Sequence, residues 1–270
     1  MKDIVTRTLY GAIFVVVVLG SVFLNPVVFF AVAGVFMLIA LYEYSGLFFP
    51  HRKISGSIVF YLAGISVYAV TGLAGLGITD FRTILFLIPV PFVIAACELF
   101  GKRDASWDRI AVYISAMFYV ALPFGLMNAL FYVKPVAGHT PVILASMFIL
   151  VWANDVFAYL TGTFFGKHKL FERVSPKKTW EGSVGGLVFT MIFSLLFYRF
   201  TSFMELGEWI IYAAIISVTA TTGDLSESLL KRNKGVKDSG NIIPGHGGVL
   251  DRFDAAIFAT PFVFIYFYLL

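Results

Sequence analysis

Charged residues are scarce in this chain. Of its 270 residues, 13% are charged and 59% are hydrophobic, whereas a soluble globular domain carries roughly 25% charged residues. A chain with so few charges cannot cover a water-exposed surface of this size. The composition therefore excludes a soluble globular domain. It predicts an all-α integral membrane protein, because a helix satisfies its own backbone polar groups in lipid.

Cysteine and long polar insertions are also nearly absent. The single cysteine, Cys97, cannot form an internal disulfide, so it indicates little about the redox compartment. No internal repeat or low-complexity tract is evident. Basic residues and an apolar run begin the chain, but no A-x-A-like cleavage pattern follows them. We therefore expect the first apolar run to be a retained helix.

Nine apolar runs approach the length of about 20 residues that crosses a bilayer. They cover residues 8–25, 27–49, 56–78, 84–100, 109–133, 141–165, 183–200, 208–230 and 253–270. The fourth run is short and contains Pro89 and Pro91, so we expect it to be kinked or re-entrant. We divide the chain into an N-terminal three-helix membrane segment (1–82), a middle two-helix segment (83–137) and a C-terminal four-helix segment (138–270), which carries the candidate chemistry.

The basic residues are unequally distributed between the two sides that nine spans create. With the N-terminus in the cytoplasm, 17 of the 20 Lys and Arg residues fall on the cytoplasmic side, and only Arg82, Lys134 and Arg199 lie opposite. Cytoplasmic loops of membrane proteins carry an excess of Lys and Arg. We therefore predict a cytoplasmic N-terminus and a functional site at the cytoplasmic face.

The stretch 224–254 concentrates charge between two apolar runs. Its carboxylates are Asp224, Glu227, Asp238, Asp251 and Asp254, and its cations are Lys231, Arg232, Lys234, Lys237 and Arg252. Charges this close to hydrocarbon are costly and by default mark a functional site. Carboxylates suit Mg²⁺, and Lys and Arg suit phosphate oxygens. The combination predicts phosphoryl or nucleotidyl transfer at a membrane surface.

The same stretch resembles the signature of phosphatidate cytidylyltransferases, also called CDP-diacylglycerol synthases. From Ser228 to Asp254 the shared pattern reads S-x-L-K-R-x4-K-D-x-G-x2-I-P-x-H-G-G-V-x-D-R-F-D. The string S-P-K-K-T-W-E-G at 175–182 is similar to a second block of that family. The resemblance implies an enzyme that condenses phosphatidate with CTP. The phosphatidate oxygen attacks the α-phosphorus, which yields CDP-diacylglycerol and pyrophosphate.

Charge and resemblance together give the site assignments. For Mg²⁺ we assign Asp224, Asp251 and Asp254, and this many carboxylates is compatible with a second cation. The predicted catalytic residues are Asp224, Lys231, Lys237, His246, Asp251 and Arg252. The predicted substrate contacts within the signature are Ser228, Arg232, and the backbone amides of Gly247 and Gly248. The second block implies triphosphate contacts from Lys167, Ser175, Lys177 and Lys178, and its turn enters a helix whose N-terminus suits phosphate.

Several roles stay open at this point. Asn154 and Asp155 lie inside the sixth run, where they either line a polar cavity as substrate contacts or join two helices. His246 acts either as a base or as a positioning group, and we favour positioning because the nucleophile is already anionic. No set of Cys and His surrounds it, which excludes a zinc site. Glu43 and Glu98, near the inner ends of their runs, are expected to reach water.

The main alternative function is a transporter or channel for a phosphorylated anion. Clustering of charge at one face and the lack of repeat symmetry argue against it. A transferase that uses a CDP-activated substrate would need a D-G-x2-A-R…G-x3-D-x3-D string, which is missing. We expect CTP, phosphatidate and the lipid bilayer as partners, with no nucleic acid. The expected location is a bacterial inner membrane, and a homodimer is left open.

Overall fold

The protein is almost entirely helical. The structure, a computed structural model, describes residues 2–49, 58–101, 105–132, 140–245 and 247–269, with side chains from residue 8 onward. Its helices are α1 (Lys2–Leu24), α2 (Pro26–Phe48), α3 (Ile58–Gly75), α4 (Val90–Gly101), α5 (Trp107–Ala116), α6 (Leu122–Ala129), α7 (Val142–Phe165), α8 (Trp180–Phe200), α9 (Leu206–Asn233) and α10 (Leu250–Leu269). A 3₁₀ segment (Phe81–Leu87) precedes α4, and a π segment (Met117–Ala121) joins α5 to α6.

Within the described residues, 8 helical stretches are long and apolar enough to cross a membrane. They are α2, α3, Phe81–Gly101, Trp107–Ala129, α7, α8, α9 and α10. The first predicted span corresponds to a shorter apolar stretch, Thr8–Leu24, inside α1. These helices coincide with the predicted apolar runs and confirm an all-α membrane protein. The cytoplasmic placement of the N-terminus stays a prediction.

Helix starts follow local capping chemistry. The side chain of Asn25 accepts a hydrogen bond from the Val27 amide at 2.8 Å, and Pro26 occupies the first position of α2. Glu205 and Glu208 form a capping box at the start of α9. The fourth predicted span is broken where its prolines lie, because proline removes a backbone donor and disfavours a continuous helix.

The chain divides into two compact units by its internal contacts. Unit 1 contains Met1–Pro141 and Asp238–Arg252, and unit 2 contains Val142–Lys237 and Phe253–Leu270. The boundary therefore falls inside α10. The division into three segments along the sequence groups the chain differently and stays a prediction.

Small residues bring α7 and α8 together in unit 2. A Cβ added at Gly186 would lie 2.8 Å from Asn154 Oδ1 and 3.1 Å from the Asn154 carbonyl oxygen. At Gly182 it would lie 2.7 Å from the Ala158 carbonyl oxygen. Membrane helices commonly pack through such small residues, because there is little hydrophobic drive between helices in lipid. The close contact holds α7 firmly beside the start of α8.

A β-hairpin connects α7 to α8, where we predicted only a compact turn that enters a helix. Strand β1 (Lys169–Phe171) pairs antiparallel with β2 (Ser175–Thr179). The helix itself begins as predicted, since the hydroxyl of Thr179 accepts from the Gly182 amide at 3.1 Å and caps α8. The hairpin carries polar residues without an alternating apolar pattern, so the sequence gives little sign of it.

Candidate functional site

One face of α9 carries four polar residues at helical spacing. The Ser228 hydroxyl donates to Asp224 Oδ1 at 3.2 Å. Lys231 Nζ donates to Glu227 Oε2 at 2.7 Å, and the Glu227 residue is 0% exposed. Burying a charged pair is tolerated only when both members are bonded. The sequence assigned no role to Glu227, although its buried partner Lys231 was a predicted catalytic residue.

The hairpin contributes a cation to this face. Lys178 Nζ lies 2.5 Å from Asp224 Oδ2, and the two side chains are 25% and 33% exposed, respectively. The structure thus brings together Lys178, predicted to contact triphosphate, and Asp224, predicted to bind a metal. Both side chains are accessible enough to exchange this contact for a ligand.

Two more carboxyl groups of unit 2 belong to the same surroundings. Asp254, in the early turns of α10, is hydrogen-bonded to the Glu227 carboxyl group and interacts electrostatically with Asp224 and Lys231. Asp155, about midway along α7, has an exposed side chain and interacts electrostatically with Asp254, Asp224 and Lys178. We call Asp155, Asp224, Glu227 and Asp254 the acidic cluster. Its carboxyl groups outnumber the two lysines named here, so their mutual repulsion favours binding of a cation.

The acidic cluster fits Mg²⁺ as a partial coordination shell. Within the described ranges, no three His, Cys, Asp or Glu side chains are placed to hold a metal ion together. Mg²⁺ commonly takes only one or two carboxylates and completes its shell with waters and substrate phosphates. Asp224 and Asp254 offer that number of oxygen donors in unit 2.

Asn154 joins two helices of unit 2. It is 1% exposed, its Oδ1 accepts from the Ser217 hydroxyl at 2.6 Å, and its Nδ2 donates to Thr221 Oγ1 at 3.4 Å. These bonds link α7 to α9, and contact with substrate stays a prediction for Asn154. The neighbouring Asp155 differs, because its side chain is exposed. The hydrogen bonds of Asn154 match the contact between helices, and a substrate contact stays a prediction for Asp155 as well.

The signature residues of unit 1 form a loop that closes on Asp251. Oδ2 of Asp251 accepts from the Ser239 amide at 2.9 Å, the Ser239 hydroxyl at 3.0 Å and the Gly248 amide at 2.8 Å. Gly247 has a φ of 80°, which favours glycine. The Gly248 amide, predicted to line a phosphate pocket, is bonded to Asp251 here. His246 lies outside the described residues.

Two expectations about acids in unit 1 are wrong. Glu43 was expected to reach water, but it is 3% exposed, and its carboxylate accepts hydrogen bonds from the Val249 and Leu250 amides. Glu98 was expected to be solvated, but it is 4% exposed and lies 2.5 Å from Arg109 Nη1. The cause is the same for both acids: each has a partner that sequence spacing does not reveal.

The remaining predicted cations lie at the surface. The exposed ones are Lys167, Lys177, Arg232, Lys237 and Arg252, and Ser175 is partly exposed. Arg232 Nη1 donates to the Val236 carbonyl oxygen at 3.1 Å. Their assignment to particular phosphates stays a prediction.

Glu181, which the sequence analysis left without a role, orders the start of the hairpin. Its Oε1 lies 2.6 Å from His168 Nδ1, and its Oε2 accepts from the Lys167 amide at 3.1 Å. A carboxylate in the first turn of α8 also suits the helix dipole. Glu181 therefore fixes the backbone that presents Lys167.

Comparison with known proteins extends over nearly the whole chain. The model of the cytidylyltransferase family matches residues 5–270. The chain belongs to the cytidylyltransferase family. Both strings singled out above, 175–182 and 228–254, fall within the matched region.

Relatives within the family are named phosphatidate cytidylyltransferase. One from Haemophilus influenzae is 48% identical over 135 residues, which is 48% of this chain and 46% of that protein. One from Staphylococcus aureus is 39% identical over 177 residues, which is 65% of each. One from Staphylococcus saprophyticus is 36% identical over 200 residues, which is 73% of this chain and 74% of that protein. The chain thus spans less than two thirds of the length of the first two relatives.

Proposed function

We propose that this family member transfers the cytidylyl group of CTP to phosphatidate, giving CDP-diacylglycerol and pyrophosphate. The observation that carries the proposal is the contact between Lys178 and Asp224, 2.5 Å apart. Lys178 lies in the string at 175–182, and Asp224 lies on the same face of α9 as Ser228, which begins the signature. A cation of the type that binds phosphate therefore lies beside a carboxylate of the type that binds metal ions, which supports a role in nucleotidyl transfer.

The reaction needs charge neutralisation and in-line positioning more than covalent chemistry. An anionic oxygen of phosphatidate forms a bond to the α-phosphorus of CTP while the bond to pyrophosphate breaks. No proton has to leave the nucleophile, so His246 is proposed as a positioning group. Lys178, with Lys167, Ser175 and Lys177 of the same hairpin region, would hold the triphosphate through charge-assisted hydrogen bonds.

Within unit 2, Asp224 and Asp254 would hold Mg²⁺, which would supply positive charge to offset the charge that develops on the phosphates. Glu227 keeps Lys231 in place, since their contact is 2.7 Å long and buried. Lys231 would then present its remaining hydrogen-bond donors toward the phosphates. We assign Asp155 to the same polar surroundings, where its exposed carboxylate would attract Lys178.

The signature residues of unit 1 complete the proposed assignments. Asp251 holds the loop, and Arg252 beside it is exposed and of the residue type that grips phosphate. Phosphatidate would reach the protein sideways from the bilayer, with its anionic headgroup attracted by basic residues. We place the enzyme in a bacterial inner membrane with its site at the cytoplasmic face.

The test uses the purified full-length chain in detergent or lipid. Phosphatidate is supplied with each nucleoside triphosphate in turn, with and without Mg²⁺, and the lipid product and pyrophosphate are measured. The proposal expects both products from CTP only when the divalent cation is present. Anion flux into liposomes, without transfer of label from CTP to lipid, would instead support the transporter.

A further inference from the structure

We propose that Glu43, on a helix distant in sequence from the signature, is a positioning residue for the segment 238–252, which comprises a loop and the first turn of α10. The inference rests on the proposed function, since that segment carries the proposed catalytic residues Asp251 and Arg252. Glu43 lies on α2, inside a stretch that is long and apolar enough to cross a membrane. A carboxylate in such a position is costly unless its oxygens are bonded.

Both carboxylate oxygens of Glu43 bond the loop. Oε1 accepts from the Val249 amide at 3.0 Å, and Oε2 accepts from the Leu250 amide at 2.8 Å. These amides stand at the beginning of α10, where a helix has no internal acceptors for its first donors. A negative charge there also complements the helix dipole. Glu43 thus fixes where α10 begins and how its first turn is oriented.

Ser239 connects Glu43 to Asp251. The Ser239 hydroxyl lies 3.3 Å from Glu43 Oε2 and 3.0 Å from Asp251 Oδ2. Asp251 in turn accepts from the amides of Ser239 and Gly248. One carboxylate from α2 and one from α10 therefore hold the loop between them, and the position of Asp251 depends on Glu43.

Two glycines of the loop make room for the Glu43 carboxylate. A Cβ added at Gly240 would lie 2.5 Å from Glu43 Oε1, and one added at Gly248 would lie 2.5 Å from Glu43 Oε2. Such contacts are far inside van der Waals distance. The carboxylate cannot simply swing aside, because doing so would break its bonds to two amides. The absence of a side chain at Gly240 and Gly248 therefore leaves the space that the Glu43 carboxylate occupies.

The first test compares Glu43→Gln with Glu98→Gln, each in the purified full-length chain. Glu98 is the matched control, because it is another buried carboxylate of unit 1 and pairs with Arg109 instead of the loop. In Glu43→Gln one oxygen becomes an NH₂ donor that faces a backbone donor. We expect kcat per folded protein to fall about tenfold or more, which is the range seen when a hydrogen-bond partner of a site residue is removed. The KM for CTP should change less than threefold. Glu98→Gln should lower the melting temperature and keep kcat within about twofold.

Hydrogen exchange supplies a readout that does not depend on activity. Peptides that cover 239–250 should exchange at least about tenfold faster in Glu43→Gln, while peptides from α7 should not change. Unchanged exchange would overturn the contact itself. Faster exchange with an unchanged kcat would overturn the positioning role. An inactive wild-type chain would refute the proposed function. The exchange result would then still decide whether Glu43 holds the loop.

A double-mutant cycle keeps the inference testable if Glu43→Gln does not fold. Gly240→Ala should impair activity because the methyl group meets the Glu43 carboxylate. The same substitution in the Glu43→Asp background should cost at least about fivefold less, since the shorter side chain withdraws from the methyl group. Contacting residues are expected to be non-additive in this way. Additive effects on kcat would overturn the proposal.

Discussion

Replacing Asp224 by Asn separates a catalytic role from a structural one. The side chain keeps its volume and can still accept from Ser228, but it loses the charge that faces Lys178 at 2.5 Å. Because those side chains are 25% and 33% exposed, water screens the pair, and such ion pairs contribute about 0.2–1 kcal/mol. We therefore expect a fall in melting temperature of no more than a few degrees.

The expected effect of Asp224→Asn on activity is much larger. Loss of an oxygen ligand and of the Lys178 contact should lower specific activity on the order of 100-fold, which equals about 2.7 kcal/mol of transition-state stabilisation. The apparent requirement for Mg²⁺ should rise in the same variant. Ser228→Ala is the matched control, since it removes a hydrogen bond to the same carboxylate but keeps the carboxylate's charge; it should cost less than about tenfold.

The assay measures CDP-diacylglycerol formed per folded protein over a Mg²⁺ titration, with melting in detergent as the folding control. Activity within threefold of wild type and an unchanged Mg²⁺ titration would refute the role of Asp224. A large loss of folded protein would instead show that the Lys178 pair is structural.

Three further substitutions test other parts of the site. Lys177→Ala should raise the KM for CTP several-fold without altering membrane insertion, because the other cations keep the topology; a wild-type KM or an inverted topology contradicts this. Asp155→Asn should lower activity about tenfold at normal folded yield, since the carboxylate acts as a charge beside Lys178; full activity would contradict that role. Asp251→Asn should lower activity on the order of 100-fold and speed hydrogen exchange in 239–250, because Oδ2 of Asp251 accepts three hydrogen bonds there. Unchanged exchange would show that the loop does not depend on this carboxylate.

The helices could be predicted because their signal is local. An apolar run of sufficient length specifies a membrane helix by itself, and Asn25 followed by Pro26 specifies where one begins. The four polar residues of α9 share a face because helical periodicity places them there. The hairpin at 169–179 could not be predicted in the same way, because its strands are short and lack an alternating apolar pattern.

The partners of Glu43 and Glu98 could not be predicted, because neither lies at a helical or strand spacing from its acid. Glu43 binds the amides of Val249 and Leu250, about two hundred positions away. Glu98 pairs with Arg109, eleven positions further along the chain, and no sequence pattern links the two residues. A lone acid inside an apolar helix was the available signal in each case. Such a residue is better interpreted as bonded than as reaching water, because an unpaired charge there is costly.

The most direct test of the proposed function is transfer of label from α-³²P-labelled CTP to phosphatidate by the purified chain. We predict Mg²⁺-dependent appearance of label in a lipid product, with one pyrophosphate released for each lipid labelled. The same reaction with Asp224→Asn should incorporate little label at equal folded protein. A wild-type chain that releases no pyrophosphate and leaves the lipid unlabelled, with phosphatidate, CTP and Mg²⁺ all present, would contradict the proposed function.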